Sequence, residues 1–414
     1  MTHPQTVRGN VTELSADSES SEFQVPAQLS IAHYPLSKVS GIYIHIPFCK
    51  RRCTYCDFYS TVGLNHVDRY IDCLIAEATM RASELPGNGR SAETLYIGGG
   101  TPSQLTLEQM QRLVTGLRHV FGFEQLKEFT VEVNPDDVTR DYVAGLVSLG
   151  VNRISMGVQS FNDAELQAIG RRHTAREAID ALSEIRAAGI GNVSIDLIYG
   201  LPLQTLDTWR ETVGQAIALR PQHISAYALS YEPGTALWRQ RERGEVKEAD
   251  DDLSVTMYRE LIDALCQAGY EHYEISNFAL PGFKSRHNSS YWNDKPYLGL
   301  GASAHSYDCR VRRYNPADIV EYIKAVEAHH TAFEIEQLTL SERYDEAVMV
   351  QLRTSRGIDL DFIESRFGLK ALQHLKLEAE KYINHKCLVA DGHYIRLTVD
   401  GIMTSDAIIR DLMW

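Results

Sequence analysis

The residues with the most evident chemistry in this chain are three cysteines in one short segment, Cys49, Cys53 and Cys56. Thiolates are preferred ligands of zinc, copper(I) and iron-sulfur clusters. A closed zinc site takes four protein ligands, and a cubane 4Fe-4S cluster is usually held by four cysteines. Because only three thiols are local, the segment predicts a 4Fe-4S cluster with one iron open to an exchangeable ligand. The alternatives are three unrelated thiols, or a zinc site that His45 or a distant cysteine completes.

Other polar motifs follow or interrupt short apolar runs. In the segment from Gly98 to Thr101, three consecutive glycines allow the backbone to approach a ligand closely. A tight turn between a strand and a helix is the alternative explanation. Glu132 and Asp196 lie within apolar runs, where a carboxylate requires a polar partner. A ribose hydroxyl or a cation would serve, and a structural ion pair is the alternative for Glu132.

These motifs depend on the elements that bring them together. Apolar, strand-like runs alternate with helical patterns, which indicates a parallel sheet with right-handed crossovers. Six such units are two short of a complete eight-unit barrel, so the sequence predicts an α/β fold with a partial (β/α)6 barrel. In parallel barrels the chemistry lies at the carboxyl ends of the strands. The predicted strands are Gly41 to Ile46, Thr94 to Ile97, Phe129 to Val133, Arg153 to Gly157, Val193 to Ile198 and His223 to Leu229.

The chain divides by pattern into four segments. Residues 1–40 are polar and acidic and are predicted to be a disordered leader. Residues 41–245 form the barrel, and residues 246–335 extend it. Residues 336–414 contain three helical patterns and an alternating run, His393 to Val399, that reads as an edge strand. This last segment is predicted to be a helix-rich, winged-helix-like domain.

Composition excludes several classes of protein. The formal net charge is −14, which argues against a general nucleic-acid or anionic-membrane surface. The chain has seven cysteines, an odd number without paired spacing outside the cysteine segment, which suits a reducing cytosol. No run approaches the roughly 18 apolar residues of a membrane helix. We therefore expect a cytoplasmic protein that binds no nucleic acid.

A second candidate site is the segment from His287 to Trp292, which reads His-Asn-Ser-Ser-Tyr-Trp. Histidine is a frequent ligand of haem iron, and the rings of Tyr291 and Trp292 offer flat apolar surface to a porphyrin. On residue chemistry alone, a hydrogen-bonded loop histidine is the commoner explanation.

The cysteine spacing, with Tyr55 directly before the last cysteine, resembles the radical S-adenosylmethionine (SAM) superfamily. Several further motifs, in order along the chain, are similar to the oxygen-independent coproporphyrinogen III oxidase family: His45 to Cys49, Gly98 to Pro102, Gly157 to Phe161, Ile195 to Pro202 and Leu298 to His305. The resemblance covers the chain from about Gly41 to the C-terminus. It implies a C-terminal domain of the type named HemN.

This resemblance implies the following residue roles. Cys49, Cys53 and Cys56 would hold the 4Fe-4S cluster, and SAM would bind the fourth iron. The implied SAM contacts are Tyr43, Tyr55, Gly99, Gly100, Thr101, Glu132, Gln159, Arg171, Asp196, Ser230 and His305. The implied haem contacts are His287, Tyr291 and Trp292.

Two branches of the resembled family have different tasks. The decarboxylase branch has Gly-Cys after the last cluster cysteine, whereas this chain has Asp57-Phe58. The His-Asn-x-x-Tyr-Trp segment instead resembles the HemW branch, described as haem chaperones. The resemblance therefore implies a protein that binds haem and delivers it to an acceptor. The alternatives are radical oxidative decarboxylation of a porphyrinogen, and a cluster that only senses redox state.

The implied partners are haem, an unidentified haem-acceptor protein that could be membrane-associated, and an electron donor such as a flavodoxin or ferredoxin. The run Lys50-Arg51-Arg52, inside the cysteine segment, is a candidate docking patch for an acidic electron donor or for substrate carboxylates. A solvated loop is the alternative explanation for these three charges.

Overall fold

A computed structural model describes residues 40–85, 90, 92–331 and 333–414. The predicted disordered leader lies outside the described residues except for Ser40. In chain order, strands β1 to β17 are Ser40–Ile46, Phe48–Cys49, Thr61–Val62, Ala92–Gly99, Glu128–Val133, Arg153–Gln159, Val193–Tyr199, His223–Ala228, Glu271–Glu274, Asn277–Ala279, Tyr297–Leu300, His305–Tyr307, Val311–Tyr314, Glu334–Gln337, Ile358–Asp359, Leu388–Asp391 and Tyr394–Leu397. Helices α1 to α15 are Val67–Arg81, Leu107–Phe121, Arg140–Ser148, Asp163–Ala168, Ala175–Ala187, Leu206–Leu219, Ala236–Glu242, Asp251–Gln267, Arg286–Tyr291, Ile319–Glu327, Leu340–Leu352, Leu360–Phe367, Leu369–Asn384, Val399–Ile402 and Ser405–Leu412.

A single sheet carries the barrel, with the strand order β14-β13-β12-β11-β1-β4-β5-β6-β7-β8-β10-β9. The six predicted barrel strands are β1 and β4 to β8, and each pairs in parallel with its neighbour. A seventh strand, β11, also pairs in parallel with β1. The sequence did not predict β11, because its four residues include Gly299 and show no alternation. The predicted α/β class with a partial (β/α)6 barrel is confirmed.

Side chains alternate between the two faces of the parallel strands, apart from a bulge in β6 between Gly157 and Gln159. Ile195 and Leu197 of β7 are fully buried in the apolar core that the surrounding helices share, and Asp196 lies between them. Successive residues of a strand point to opposite faces, so the intervening residues face the barrel interior. The same alternation places these polar side chains on the inner face: Tyr43, Tyr96, Glu132, Ser155, Ser225 and Tyr227. The barrel therefore has an apolar outside and a polar inside.

Local signals in the sequence position the helices. Capping boxes begin α2 at Thr106 and α5 at Thr174, where each threonine accepts from the third helical amide. The sequence predicts one broken helix or two from Asp163 to Ala188, and the structure has two, α4 and α5, because the chain turns at Gly170 with a φ of 73°. Among the described helices, none has the length together with the apolar composition that crossing a bilayer requires.

The C-terminal segment has its own apolar core and a three-stranded antiparallel sheet of order β15-β17-β16. The prediction of an edge strand at 393–399 was wrong, because β17 lies between the other two strands. Strand β15 has only two residues, Ile358 and Asp359, too few to show a pattern. The division of the whole chain into four segments stays a prediction.

Helix α11 contacts strands near both edges of the large sheet. At its C-terminal end, the Arg353 carbonyl accepts from Ile275 N at 3.0 Å, and the Arg353 side chain pairs with Glu274 of β9 at 3.2 Å. Farther back in α11, Glu346 pairs with Arg312 of β13 at 2.8 Å. Strand β9 ends the sheet on one side, and β13 is next to last on the other. The C-terminal segment thus links the two edges of the open barrel.

A buried polar network holds β11 to helix α1. Glu77 and Arg81, each 2% exposed, form an ion pair at 2.8 Å. Arg81 also donates to the Gly299 carbonyl of β11 at 3.1 Å. The carboxylate of Glu77 accepts from the Gly301 amide at 2.9 Å and from the Tyr322 hydroxyl of α10 at 2.7 Å. The network satisfies two buried charges and fixes the chain that follows β11.

We predict that Glu77→Gln lowers the free energy of unfolding by about 1–3 kcal/mol, because the buried Arg81 guanidinium keeps only its ion pair with Glu84 and the Gly301 and Tyr322 donors lose a charged acceptor. Urea denaturation of cluster-free protein measures the change in midpoint. The matched control is Arg69→Ala, which breaks an exposed ion pair with Glu327 and should leave the midpoint nearly unchanged. Equal midpoints for Glu77→Gln and wild type would contradict the role given to this network.

Candidate functional site

The three cysteines lie in the loop that follows β1. Cys49 ends the short strand β2 and is buried, whereas Cys53 and Cys56 are half-buried. Among the residues that the structure describes, no group of three or more His, Cys, Asp and Glu side chains is arranged to hold a single metal ion. Because this loop follows β1, the three thiols lie at the carboxyl end of that strand, where the sequence predicted them.

The backbone of the loop is held by its neighbours. Thr54 donates its amide to the Ile169 carbonyl at 3.1 Å and accepts from the Leu237 amide at 2.8 Å. Lys50 pairs with Asp137 at 2.8 Å, and Arg52 donates to the Cys56 carbonyl at 3.3 Å. Two of the three basic residues considered as a docking patch thus stabilise the loop itself.

The protonation of the thiols depends on their burial. Burial raises the pKa of Cys49, and Thr101 Oγ1, 3.3 Å from its sulfur, acts in the opposite direction. Burial raises the pKa of Cys56 to about 11. Arg171 Nη1 lies 3.6 Å from Cys53 Sγ. Iron must displace protons from Cys49 and Cys56 when it binds.

The glycine segment after β4 packs against the end of β1. Gly99 has a φ of 112°, and a Cβ there would lie 2.7 Å from the ring of His45. A Cβ on Gly100 would lie 2.8 Å from the carbonyl carbon of Pro47. The ring of His45 is neutral, since burial lowers its pKa to about 4, and its Nε2 donates to the Tyr59 carbonyl at 3.0 Å. Its Nδ1 must then accept from the Tyr43 hydroxyl at 3.1 Å.

Glu132 and Asp196 are two half-buried carboxyls inside the barrel. Glu132 accepts from the Tyr96 hydroxyl at 2.7 Å and from the Gly99 amide at 3.0 Å. Burial raises the pKa of Glu132 to about 7 and that of Asp196 to about 6, and a hydrogen bond from Ser225 opposes the shift of Asp196. Neither carboxyl forms an ion pair with a basic side chain in the described ranges, so the ion-pair explanation of Glu132 was wrong.

Arg171 connects the interior of the barrel with the cysteine loop. Its guanidinium donates to the Gly157 carbonyl and to the Asn134 side chain, and its Nε is buried without a hydrogen-bond partner among the described residues. Gln159, at the end of β6, has a φ of 69°. Tyr55 packs beside a small apolar cluster that includes Leu201. These side chains gather above the carboxyl ends of β6 and β7.

Two of the implied SAM contacts lie farther out. Ser230 is exposed and donates to Glu232. His305 begins β12, which β11 separates from β1, and its ring stacks on Tyr314 with centroids 5.6 Å apart. The sequence did not single out Tyr96 or Thr94, although both lie on inward-facing positions of β4. The alternation of that strand is the signal that could have found them.

Comparisons with known proteins identify the family. The description of the radical SAM superfamily matches residues 43–216, and that of the HemN C-terminal domain matches residues 338–404. A relative from Lactococcus lactis, named heme chaperone HemW, is 36% identical over 367 residues, which cover 88% of this chain and 95% of the relative. A protein of the same name from Mycobacterium tuberculosis is 34% identical over 399 residues, covering 94% and 99%.

The chain belongs to the HemW family of radical SAM proteins.

The fold is also similar to a solved structure, coproporphyrinogen III oxidase (HemN) from Escherichia coli. The TM-score is 0.79, at 26% identity and 92% coverage of each chain. Membership of the radical SAM superfamily implies a 4Fe-4S cluster and SAM. Three thiols in one loop at the carboxyl ends of the strands, with two carboxyls and an arginine nearby, are a donor set that fits both groups.

The His-Asn-x-x-Tyr-Trp segment of this HemW-family chain lies at the other end of the strands. His287 sits on α9, with its Nδ1 2.9 Å from Thr94 Oγ1 and its Nε2 2.9 Å from the Tyr291 hydroxyl. Glu128 accepts from the amides of Arg286 and His287 at 2.8 and 2.9 Å. Thr94 and Glu128 are near the amino ends of β4 and β5, so α9 closes the floor of the barrel.

The sequence-predicted residues therefore form two groups rather than one. Thr94, beside His287, and Gly99, beside the cysteine loop, are five residues apart on one strand, or about 17 Å at the usual rise. Burial lowers the pKa of His287 to about 3, so its ring is neutral. The ring of Trp292 lies under the Arg353 guanidinium at 5.4 Å, which joins α9 to the C-terminal segment.

Glu132 should make stability depend on pH. Burial raises its pKa from 4.5 to about 7, so the folded protein keeps a proton that the unfolded chain releases between these values. The free energy of unfolding therefore falls as the pH rises through this range. We predict that between pH 5 and 8 wild type loses up to about 3 kcal/mol more than Glu132→Gln.

Urea denaturation of cluster-free protein at the two pH values measures this difference. The control variant is Glu108→Gln, which changes an exposed carboxylate and should keep the pH dependence of wild type. If Glu132→Gln showed the same pH dependence as wild type, Glu132 would titrate in its ordinary range.

Proposed function

We propose that this protein is a haem chaperone built on a radical SAM fold, which binds haem and a SAM-coordinated 4Fe-4S cluster and transfers haem to an acceptor protein. The observation that carries the proposal is the match, over nearly the full length of each, to relatives named heme chaperone HemW. The His-Asn-x-x-Tyr-Trp segment supports it, because it supplies a neutral histidine beside two aromatic rings.

In this proposal Cys49, Cys53 and Cys56 hold three irons of the cluster, and SAM binds the fourth. The bound cluster supplies one-electron reduction of the SAM sulfonium. The Gly99, Gly100 and Thr101 turn would receive the methionyl amine, and Arg171, whose buried Nε has no partner in the described part of the chain, would bind the carboxylate. The remaining assigned contacts are Tyr43, Tyr55, Glu132, Gln159, Asp196, Ser230 and His305.

Haem would bind through His287, with Tyr291 and Trp292 against the macrocycle. The ring is in the neutral form that a metal requires. Both of its nitrogens are engaged, however, by Thr94 and Tyr291. Ligation by Nε2 thus requires the Tyr291 hydroxyl to move away. We propose that α9, a short helix of six residues that contains Tyr291, rearranges to allow this movement.

An electron donor such as a flavodoxin or ferredoxin would approach the exposed side of the cysteine loop. Arg51 is exposed there, and Phe58 and Val62 are 48% and 64% exposed. The haem acceptor stays unidentified in this proposal, and its association with a membrane stays a prediction.

Decarboxylation of a porphyrinogen is the second candidate, favoured by the similarity to the HemN structure. Against it stands Asp57-Phe58, where the decarboxylase branch has Gly-Cys. We propose this activity as the alternative that the same sample can test.

We predict that cluster-replete protein binds haem at near-unit stoichiometry and that His287→Ala weakens binding roughly tenfold or more, since a ligand to iron is lost. Absorbance titration under anaerobic conditions measures the affinity. His385→Ala, which changes an exposed histidine directly after α13, is the matched control and should bind as wild type does.

The same sample, incubated with SAM, reductant and coproporphyrinogen III, should yield no protoporphyrinogen IX. If the sample formed protoporphyrinogen IX and did not bind haem, the proposed chaperone function would be wrong and the oxidase activity would be the better assignment. Unchanged haem affinity in His287→Ala would remove this residue from the haem site.

The cysteine assignment predicts that Cys53→Ser abolishes the 4Fe-4S cluster, because two thiolates are too few to hold the cubane. Iron analysis and the charge-transfer absorbance of anaerobically reconstituted protein measure the loss. Cys387→Ser, outside the loop, should keep the iron content of wild type. A full cluster in Cys53→Ser would contradict the assignment.

A further inference from the structure

A cavity of about 420 Å³ opens at the floor of the barrel beside α9. Its walls come from the start of β4, the start of β9, the turn before α9, and α9 with the turn that follows it. The residues on which the following argument depends are Glu93, Thr94, Glu271, Lys284, Arg286 and Lys295.

The charges that line this cavity do not cancel. Glu93 is paired with Lys127 at 2.5 Å, and Glu271 with Lys284 at 2.7 Å. Arg286 and Lys295 form no ion pair with any residue in the described part of the chain. The cavity therefore presents two uncompensated positive charges, in a chain whose formal net charge is −14.

The cavity borders the environment of His287. Thr94 and Ser290 form part of its wall and are only 3% and 7% exposed. Thr94 also contacts Nδ1 of His287 through its hydroxyl at 2.9 Å. Arg286 and His287 are consecutive on α9, but Arg286 is exposed and lines the cavity, whereas His287 is 1% exposed.

We infer that this cavity binds the two carboxylate side chains of haem while α9 binds the macrocycle. The inference rests on the proposed haem-binding function and names the part of the site that binds these two carboxylates. Arg286 offers a planar fork that matches a carboxylate, and Lys295 offers a compact ammonium. Two uncompensated cations match two carboxylates, and Ser289 and Asn293 add polar groups to the same wall.

The test compares haem with its dimethyl ester, in which both carboxylates are neutral. Absorbance titrations use cluster-replete wild type, the double variant Arg286→Ala/Lys295→Ala, and the control Lys247→Ala/Lys324→Ala, which removes two exposed charges outside the cavity. We expect wild type to bind haem roughly ten- to a hundredfold more tightly than the ester. The double variant should lose this difference, with ester affinity unchanged, and the control should keep it.

The charge-conserving pair Arg286→Lys/Lys295→Arg should restore most of the preference for haem, and thermal unfolding checks that every variant is folded. If wild type bound haem and ester equally, or the double variant kept the preference for haem, the cavity assignment would be overturned while the proposed function stood. If wild type bound neither ligand, the proposed function would fall and this inference with it.

Discussion

The arrangement of this protein depends on one constraint: polar side chains on the inner face of a parallel barrel must find partners away from bulk water. The outer face of each strand is apolar and buried by helices, so the alternation leaves the inner face for Tyr43, Glu132, Asp196 and their neighbours. Glu132 meets this requirement through Tyr96 and the Gly99 amide. The carboxyl thus ties the third parallel strand to the glycine turn of the second, directly beneath the cysteine loop.

The two ends of the strands meet this constraint differently. At the carboxyl ends, Glu132 and Asp196 stay half-buried, and burial raises the pKa of each carboxyl. At the amino ends, α9 seals the barrel, because Glu128 caps its first amides and Thr94 holds the ring of His287. A fully hydrogen-bonded histidine is a stable closure. The same bonds mean that the proposed metal binding at this residue would require a local change of α9.

The open sheet also needs its edges held. The buried pair of Glu77 and Arg81 fixes β11 against α1 and α10, and α11 reaches from β13 to β9 across the opening. Arg353 holds one edge of the sheet through its ion pair with Glu274. Its guanidinium also lies over the ring of Trp292, which follows α9. The C-terminal segment therefore contacts both the sheet edges and the residues beside α9 at the floor of the barrel. The two proposed binding regions are built on the same sheet.

Much of this was determined by sequence alone, because the relevant signals are local. The six parallel strands follow from short apolar runs between helical patterns, and the grouping of Cys49, Cys53 and Cys56 in one loop follows from their spacing within eight residues. Tertiary structure decided what depends on distant partners. Strand pairing placed β17 between β15 and β16. Lys50 and Arg52 form contacts that hold the cysteine loop, and the Glu77 network joins residues that are distant in sequence. Tertiary structure also separated His287 from the cysteines by the length of a strand, because the segment from 286 to 291 folds back to the amino ends of strands that precede it by more than a hundred residues. A sequence pattern records the chemistry of each residue, but only the pairing of remote strands determines which residues share a site.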